Sequence, residues 1–322
     1  MYRFIHFAFF IGMLCLYGCG MFVGHIPPGE MPSVTPEAQD HFIDVGGVSY
    51  HCCEYSGPGP DILMVHGFGS STYTWEKVAP LLRAQGYHVW ALDMKGFGWS
   101  DKPTGVAYDA HTLMEEVSAW MDAVELSEVI MVGNSLGGAV TVLMALEHPE
   151  KVSSMVLVDA GGYPQKKPTI IRMAAIPGAA GSMKLFFGRW MISWNLKEVF
   201  YHNDWVTEEA IDNYYERLCT EGALDSQVAV IRDLDFDAFS KYIRRIPTID
   251  KPTLIIHGQD DIWIPLANSH KFKRDLPNAT LVVLPDCGHV AQEEYPRETG
   301  QLILDFIAGK TIEESLVPGE GG

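Results

Sequence analysis

One stretch, Gly133-Asn-Ser-Leu-Gly-Gly138, limits what this chain can fold into more than any other. The apolar run 128–132 precedes it and a helix-forming run from Ala139 to His148 follows, so the pattern reads as strand, tight turn, helix. A serine hydroxyl is a weak nucleophile unless it is held clear of its own backbone. The turn must therefore be sharp, and the neighbours must be very small, here Gly133 and Gly137. The turn also places Ser135 at the start of a helix, where the N–H of Leu136 is available to a developing oxyanion.

The rest of the chain repeats the same alternation. A Gly46-Gly47 turn joins two β-rich runs, 42–45 and 48–55, as a hairpin. The apolar run 62–65 leads into the loop His66-Gly-Phe-Gly-Ser-Ser71, whose glycines let backbone approach a substrate and present the N–H of Phe68 as a second oxyanion donor. A helix is expected over 74–85, a strand over 87–92, a helix over 110–126 and a strand over 151–158 ending at Asp159. The loop 93–103, with Asp93 and Asp101, reads as structural packing beneath the site. From 161 to 246 the alternation breaks into helical periodicity rich in Met, Trp, Phe and Tyr, expected to form a cap whose aromatics are mostly its own core. Strands then resume at 252–256 and 280–284, before His257-Gly-Gln-Asp-Asp261 and Cys287-Gly-His289, and a last helix covers 296–308. Such alternation implies an α/β fold with a mostly parallel sheet, covered on both faces, whose site lies at the carboxyl ends of the strands.

At 322 residues the chain is long enough for a sizeable core, and its net charge of −18, with no Lys/Arg run, argues against nucleic acid. Residues 1–25 pair a short basic start with an apolar run, too short for the ~20 residues that span a bilayer, and read as an export signal. Leu16, Gly18 and Cys19 resemble the lipobox of bacterial lipoproteins, although Tyr17 is bulkier than that pattern usually has. An uncleaved anchor and simple secretion are the alternatives. Each places the chain outside the cytoplasm, in the cell envelope if anchored. The expected organisation is a leader (1–25), a proline-rich tether (26–40), a core in two parts (41–160 and 247–310) around the cap (161–246), and a disordered acidic tail (311–322). Cys52 and Cys53 alternate on one strand and face opposite ways, so free buried thiols are expected at 52, 53, 219 and 287. No cysteine or histidine spacing suggests a metal, and no cofactor is called for.

Ser135, Asp261 and His289 occur in that order, each just after an expected strand. A serine needs a base, and the base needs a carboxylate to fix its tautomer, so these three form the expected catalytic triad. The stretches HGFGSS, DMKGFGWSDKP, GNSLGG, HGQDDIWIP and CGH together resemble the α/β-hydrolase superfamily over roughly residues 40–310. In similar proteins the acid is the second Asp of the G-x-D-D run, which selects Asp261 over Asp260. Others carry it after the sixth strand, which keeps Asp159 in reserve.

The resemblance implies an α/β-hydrolase fold and a serine carboxylesterase or lipase-like enzyme acting on hydrophobic small-molecule esters. Relatives that attack with aspartate are set aside by Ser135. Hydrolases that cut carbon–carbon bonds in ring-cleavage products share GNSLGG and CGH, with Asn134 beside the substrate, but usually carry Trp where this chain has Val290. A non-catalytic binding module is a third reading, opposed by the intact triad, and oligomeric state is left open. If Cys19 carries a lipid, Cys19→Ser will move the protein from the membrane to the soluble fraction; unchanged fractionation removes the lipoprotein reading.

Overall fold

The computed structural model describes residues 37–165, 187–233 and 239–314. The expected leader, most of the tether and the tail beyond 314 lie outside them. Eight strands form one sheet in the order β1-β2-β4-β3-β5-β6-β7-β8. They are β1 Gln39–Val45, β2 Val48–Tyr55, β3 Asp61–Val65, β4 His88–Leu92, β5 Val129–Asn134, β6 Val152–Val158, β7 Thr253–Gly258 and β8 Ala279–Leu284. The hairpin β1–β2 and the β2–β4 pair are antiparallel, and all other pairs are parallel. Gly46 and Gly47, at φ of 63° and 83°, supply the two positive angles of a tight hairpin turn.

Period-two alternation sorts the strand side chains into two cores. Leu63, Val65, Met131 and Ile255 pack on one face with the helices α2 Ala110–Ala123 and α3 Leu136–Glu147. Ile62, Met64, Ile130, Val132, Leu254 and Ile256 pack on the other with helix α1 Ala79–Ala84 and with Ile303 of the last helix, Pro296–Ile307. Because both faces are covered, β5 is buried along its length and reads as a continuous apolar run. Cys52 and Cys53 fall in opposite cores, and both are free.

Some boundaries move. The helix expected over 74–85 is a 3-10 turn at Thr72–Trp75 followed by α1, with Pro80 in the first turn of α1. Strand β1 opens at Gln39, inside the expected tether, and at the other end Ile312 packs on the second core while Glu314 pairs with Lys273, so chain assigned to the tail is docked. Between β6 and β7 the described cap helices are α4 Arg189–Val199, α5 Glu208–Leu218, α6 Ala223–Asp233 and α7 Ser240–Ile243, with no strand among the described residues. Only half of the described cap aromatics that the sequence singles out join its core: Phe187, Phe200, Tyr214 and Tyr215 do, whereas Trp190 is 63 % exposed, and Trp194, Tyr201 and Trp205 are also on the surface. The helices pack one face on the body of the protein, and helical spacing alone does not say which face that is. The expected Met183 and Phe186 lie outside the described residues.

The loop 93–103 is held by one carboxylate. Asp93, fully buried, accepts from the Thr72 N–H (2.6 Å), the Trp99 N–H (2.9 Å) and His51 Nδ1 (2.7 Å). The other nitrogen of His51 meets Asp40 at 2.9 Å. Burial alone would lower the His51 pKa, but Asp40 and Asp93 outweigh it and raise it well above 6.5. Asp93 is correspondingly depressed against its own burial by the His51 bond and charge. Asp101 accepts from the Ser49 N–H at 2.8 Å. Both aspartates act structurally, as the sequence implies. Asp93→Asn leaves a buried imidazolium short of its partner and will cost ~3 kcal/mol of stability. Urea unfolding measures this, and a loss below ~1 kcal/mol would contradict the ion-pair account.

Candidate active site

The carboxyl ends of β3, β5, β6, β7 and β8 converge on one place. Ser135 sits between β5 and α3 with φ 53°, a positive angle that a residue with a side chain adopts only under constraint. The constraint is close packing. A Cβ at position 137 would lie 2.2 Å from the Val65 carbonyl, and one at 133 would lie 2.3 Å from that of Gly137. Only glycine permits this turn, and the turn lifts the serine above the strand. The Ser135 N–H donates to the Val158 carbonyl (3.0 Å) and its carbonyl accepts from Gly161 (2.9 Å), which fixes the bend to the end of β6.

The loop after β3 passes directly over the serine: a Cβ on Gly67 would come within 2.9 Å of the Ser135 Cβ. His66 is the hinge of this loop. Its Nδ1 donates to the Gly67 carbonyl (2.7 Å) and its Nε2 accepts from the Met94 N–H (3.1 Å), which fixes the neutral tautomer. Phe68 and Leu136, the two expected oxyanion donors, thus flank Ser135 from the loop and from the first position of α3.

His289 and Asp261 meet as the sequence implies. His289 Nδ1 lies 2.7 Å from Asp261 Oδ2, and Asp261 Oδ1 accepts the N–H groups of Trp263 (2.6 Å) and Ile264 (3.0 Å). The neighbouring Asp260 is exposed and takes no part. The His289 carbonyl accepts from Asn134 Nδ2 at 3.2 Å, and the indole of Trp263 stacks on the imidazole at 6.0 Å and 20°. Burial favours the neutral imidazole, yet the charge and hydrogen bond of Asp261, helped by Asp159, raise the His289 pKa above 6.5.

Asp159 occupies a different position. It is fully buried at the end of β6, its Oδ1 accepts from the Gly258 N–H (2.8 Å), and it lies 3.4 Å from His257 Nδ1. Burial, then the Asp261 charge, pushes its carboxyl well above the usual range. Asp261, and not this reserve candidate, holds His289. His257 is held neutral by burial, its pKa lowered to about 4, with Nε2 3.2 Å from the Ile264 carbonyl and Nδ1 2.8 Å from Ser269 Oγ. Asp159, His257 and Asp261 lie close enough to share an ion, but the imidazole nitrogens and Asp261 are committed to these hydrogen bonds, so the group does not suit a metal.

Ser135 and His289 open into a cavity of about 180 Å³ under the cap. Its walls include Phe187, Met191 and Tyr214 from the cap, along with Leu196, Ile231 and Val290. Apart from His289 and the Tyr214 phenol, no titratable acid or base lines it among the described residues; its other polar side chains are Ser70, Asn134, Ser135, Asn195, Gln227 and the Trp263 indole. Trp263, Glu293 and Glu294 are the site neighbours that sequence reading missed. Trp263 follows the G-x-D-D run by two residues, a usable signal, whereas the others are placed by contacts across more than seventy residues.

A serine lifted from its backbone, an imidazole oriented by a buried carboxylate and two flanking N–H donors can together carry a hydroxyl to an electrophilic carbonyl. Residues 62–302 match a family model described as the alpha/beta hydrolase family. The chain is 32 % identical over 283 residues to an uncharacterized hydrolase of Bacillus subtilis, covering 86 % of this chain and all of that one. Among solved structures it is similar to a meta-cleavage product hydrolase from Pseudomonas fluorescens IP01 (28 % identity, TM-score 0.74, 85 % and 99 % of the two chains). It is also similar to a bacterial membrane phospholipase A (25 % identity, TM-score 0.68, 85 % and 86 %).

If His289 is the base, it must be neutral to work, so activity will rise with pH through a midpoint above 6.5, set by Asp261. Asp261→Asn removes the main cause of that elevation and leaves the burial, so the midpoint will shift to lower pH as kcat falls by ~10³ or more. An unshifted midpoint would sink the assignment.

Proposed function

The chain belongs to the alpha/beta hydrolase family, and on that premise we propose that it is a serine carboxylesterase of lipase-like kind, acting on hydrophobic esters. The observation that carries this reading is the cavity: an apolar chamber, with Ser135 and His289 in its wall and no lysine or arginine lining it among the described residues. A neutral acyl or aromatic chain fits such walls. The acid formed when a catechol ring is opened beside its hydroxyls carries a carboxylate, and burying that charge without a cation is costly.

In the proposed cycle Ser135 Oγ attacks the ester carbonyl as its proton passes to His289 Nε2. The N–H groups of Phe68 and Leu136 hold the oxyanion. As the carbon–oxygen bond breaks, His289 returns the proton to the departing alcohol. A water then gives its proton to His289 and attacks the acyl-enzyme, the acid leaves, and Ser135 recovers its hydrogen. Asp261 orients the imidazole throughout, and no cofactor enters the cycle.

The carbon–carbon hydrolase is the second reading, favoured by the likeness to the Pseudomonas fluorescens enzyme and by Asn134, which lines the cavity beside Ser135. Against it, Val290 stands after the histidine and packs into the cluster beneath the cap with Ile192, Leu196 and Val199. The expected membrane link rests on residues 1–25 alone, and no described helix is long and apolar enough to cross a membrane. The two readings separate in one assay: p-nitrophenyl esters of increasing acyl length beside a ring-cleavage dienoate, with the chain lacking residues 1–25. Ester turnover abolished in Ser135→Ala, together with loss of fluorophosphonate labelling, is expected; turnover of the dienoate alone would establish the alternative.

A further inference from the structure

The short helix Ala291–Glu294, directly after His289, carries two adjacent acids, and each grips the cap at a different point. Glu293 accepts from the Tyr214 hydroxyl of α5 and from Thr74 Oγ1, both at 2.5 Å. Glu294, only 5 % exposed, uses both its oxygens. Oε1 accepts from the Gly288 N–H at 2.7 Å, while Oε2 accepts from the N–H groups of Tyr201 (2.9 Å) and His202 (3.1 Å), where the chain leaves α4. The His289 N–H itself donates to the Val199 carbonyl of α4 at 2.8 Å. The junction has no slack, since a Cβ on Gly288 would meet the Val199 carbonyl at 2.3 Å and the Tyr201 nitrogen at 2.8 Å.

From this geometry we infer that Glu294 is a positioning residue for His289: it couples the cap corner 199–202 to the backbone just before the imidazole, so that the base is aligned only while that corner is docked. The inference rests on His289 acting as the base in the proposed hydrolysis. Three bonds fix the backbone at 288–289: Gly288 N–H to Glu294, His289 N–H to Val199 and His289 carbonyl to Asn134. Two of the three lead into the cap. If the corner lifts, the Val199 bond and both Oε2 contacts of Glu294 are lost; Gly288 is then held by a carboxylate that nothing on the cap side anchors, and with Asn134 it no longer fixes the direction in which the imidazole leaves the backbone. A carboxylate suits this role because it accepts on both oxygens. A glutamine of the same size has one acceptor and two donors, so it satisfies either Gly288 or the cap corner, and turns an N–H toward the other.

The test uses the full-length chain and Glu294→Gln. kcat for p-nitrophenyl butyrate will fall about tenfold or more while KM stays within about threefold, and the pH midpoint will drop as the bond to Asp261 loosens. A purely structural role would lower the melting temperature and leave kcat of the folded protein and its pH midpoint unchanged; that result overturns the inference. Should Glu294→Gln not fold, His202→Pro removes one donor to Oε2 at a position whose φ of −87° lies near the range proline takes, and His202→Ala is its control, keeping the N–H. A kcat lower in the proline variant than in the alanine one supports the coupling, and equal values overturn it. A substrate-independent readout separates this from the ester reading. The proton that His289 Nδ1 shares with Asp261 gives a far-downfield NMR signal, expected in the wild type and broadened or lost in Glu294→Gln or His202→Pro. If wild type hydrolyses no ester, the ester reading fails, and the signal alone decides: its loss in the variant supports the coupling, its persistence refutes it.

Discussion

The contact on which the rest depends is the approach of the β5–α3 turn to the end of β3, where position 137 lies against the Val65 carbonyl with no room for even a methyl group. It makes the chain reverse within a few residues and leaves Ser135 in a strained conformation. That strain is tolerable because β5 lies between two covered sheet faces and cannot shift. The loop over Ser135, the cavity and the incoming imidazole are arranged around that fixed point.

Three buried aspartates near the strand ends differ in role because their surroundings differ. Asp93 faces the imidazole of His51 and several N–H donors, and stays ionised against its burial. Asp159, deeper and beside Asp261, has its carboxyl pushed well above the usual range by burial and by that neighbour. Asp261 sits between two backbone donors and His289, where its charge is useful to the imidazole. One residue type thus serves as a loop anchor, a link between the ends of β6 and β7, and an orienting group. Local donors and depth decide which.

Much of this was legible in the sequence, since the strands announce themselves as apolar runs and the functional side chains follow them immediately. Ser135, Asp261 and His289 could be chosen on that ground, and glycines mark the places where backbone must come close. The grip of Glu293 and Glu294 on the cap was not legible. Tyr214 and Glu293 are 79 residues apart, and Tyr201 and Glu294 are 93 apart. No local period encodes such contacts. The cap misled for a related reason: Trp190 and Trp194 have the spacing of a buried helix face, yet α4 turns Ile192 and Leu196 inward and leaves the tryptophans outside. Two apolar faces competed, and packing partners elsewhere in the chain chose between them. The loss of helix at 76–78 likewise reflects tertiary fit, with Trp75 and Val78 packed into the second core.

Cys52 and Cys53 divide between the two sides of the sheet, and burial pushes both thiols toward the protonated form. Oxidants and disulfide partners react with the thiolate, so neither sulfur is chemically available in the folded state. At these two positions the covalent connectivity is therefore the same in oxidising and reducing surroundings. Any window for a wrong crosslink at Cys52 or Cys53 closes when β2 docks between β1 and β4.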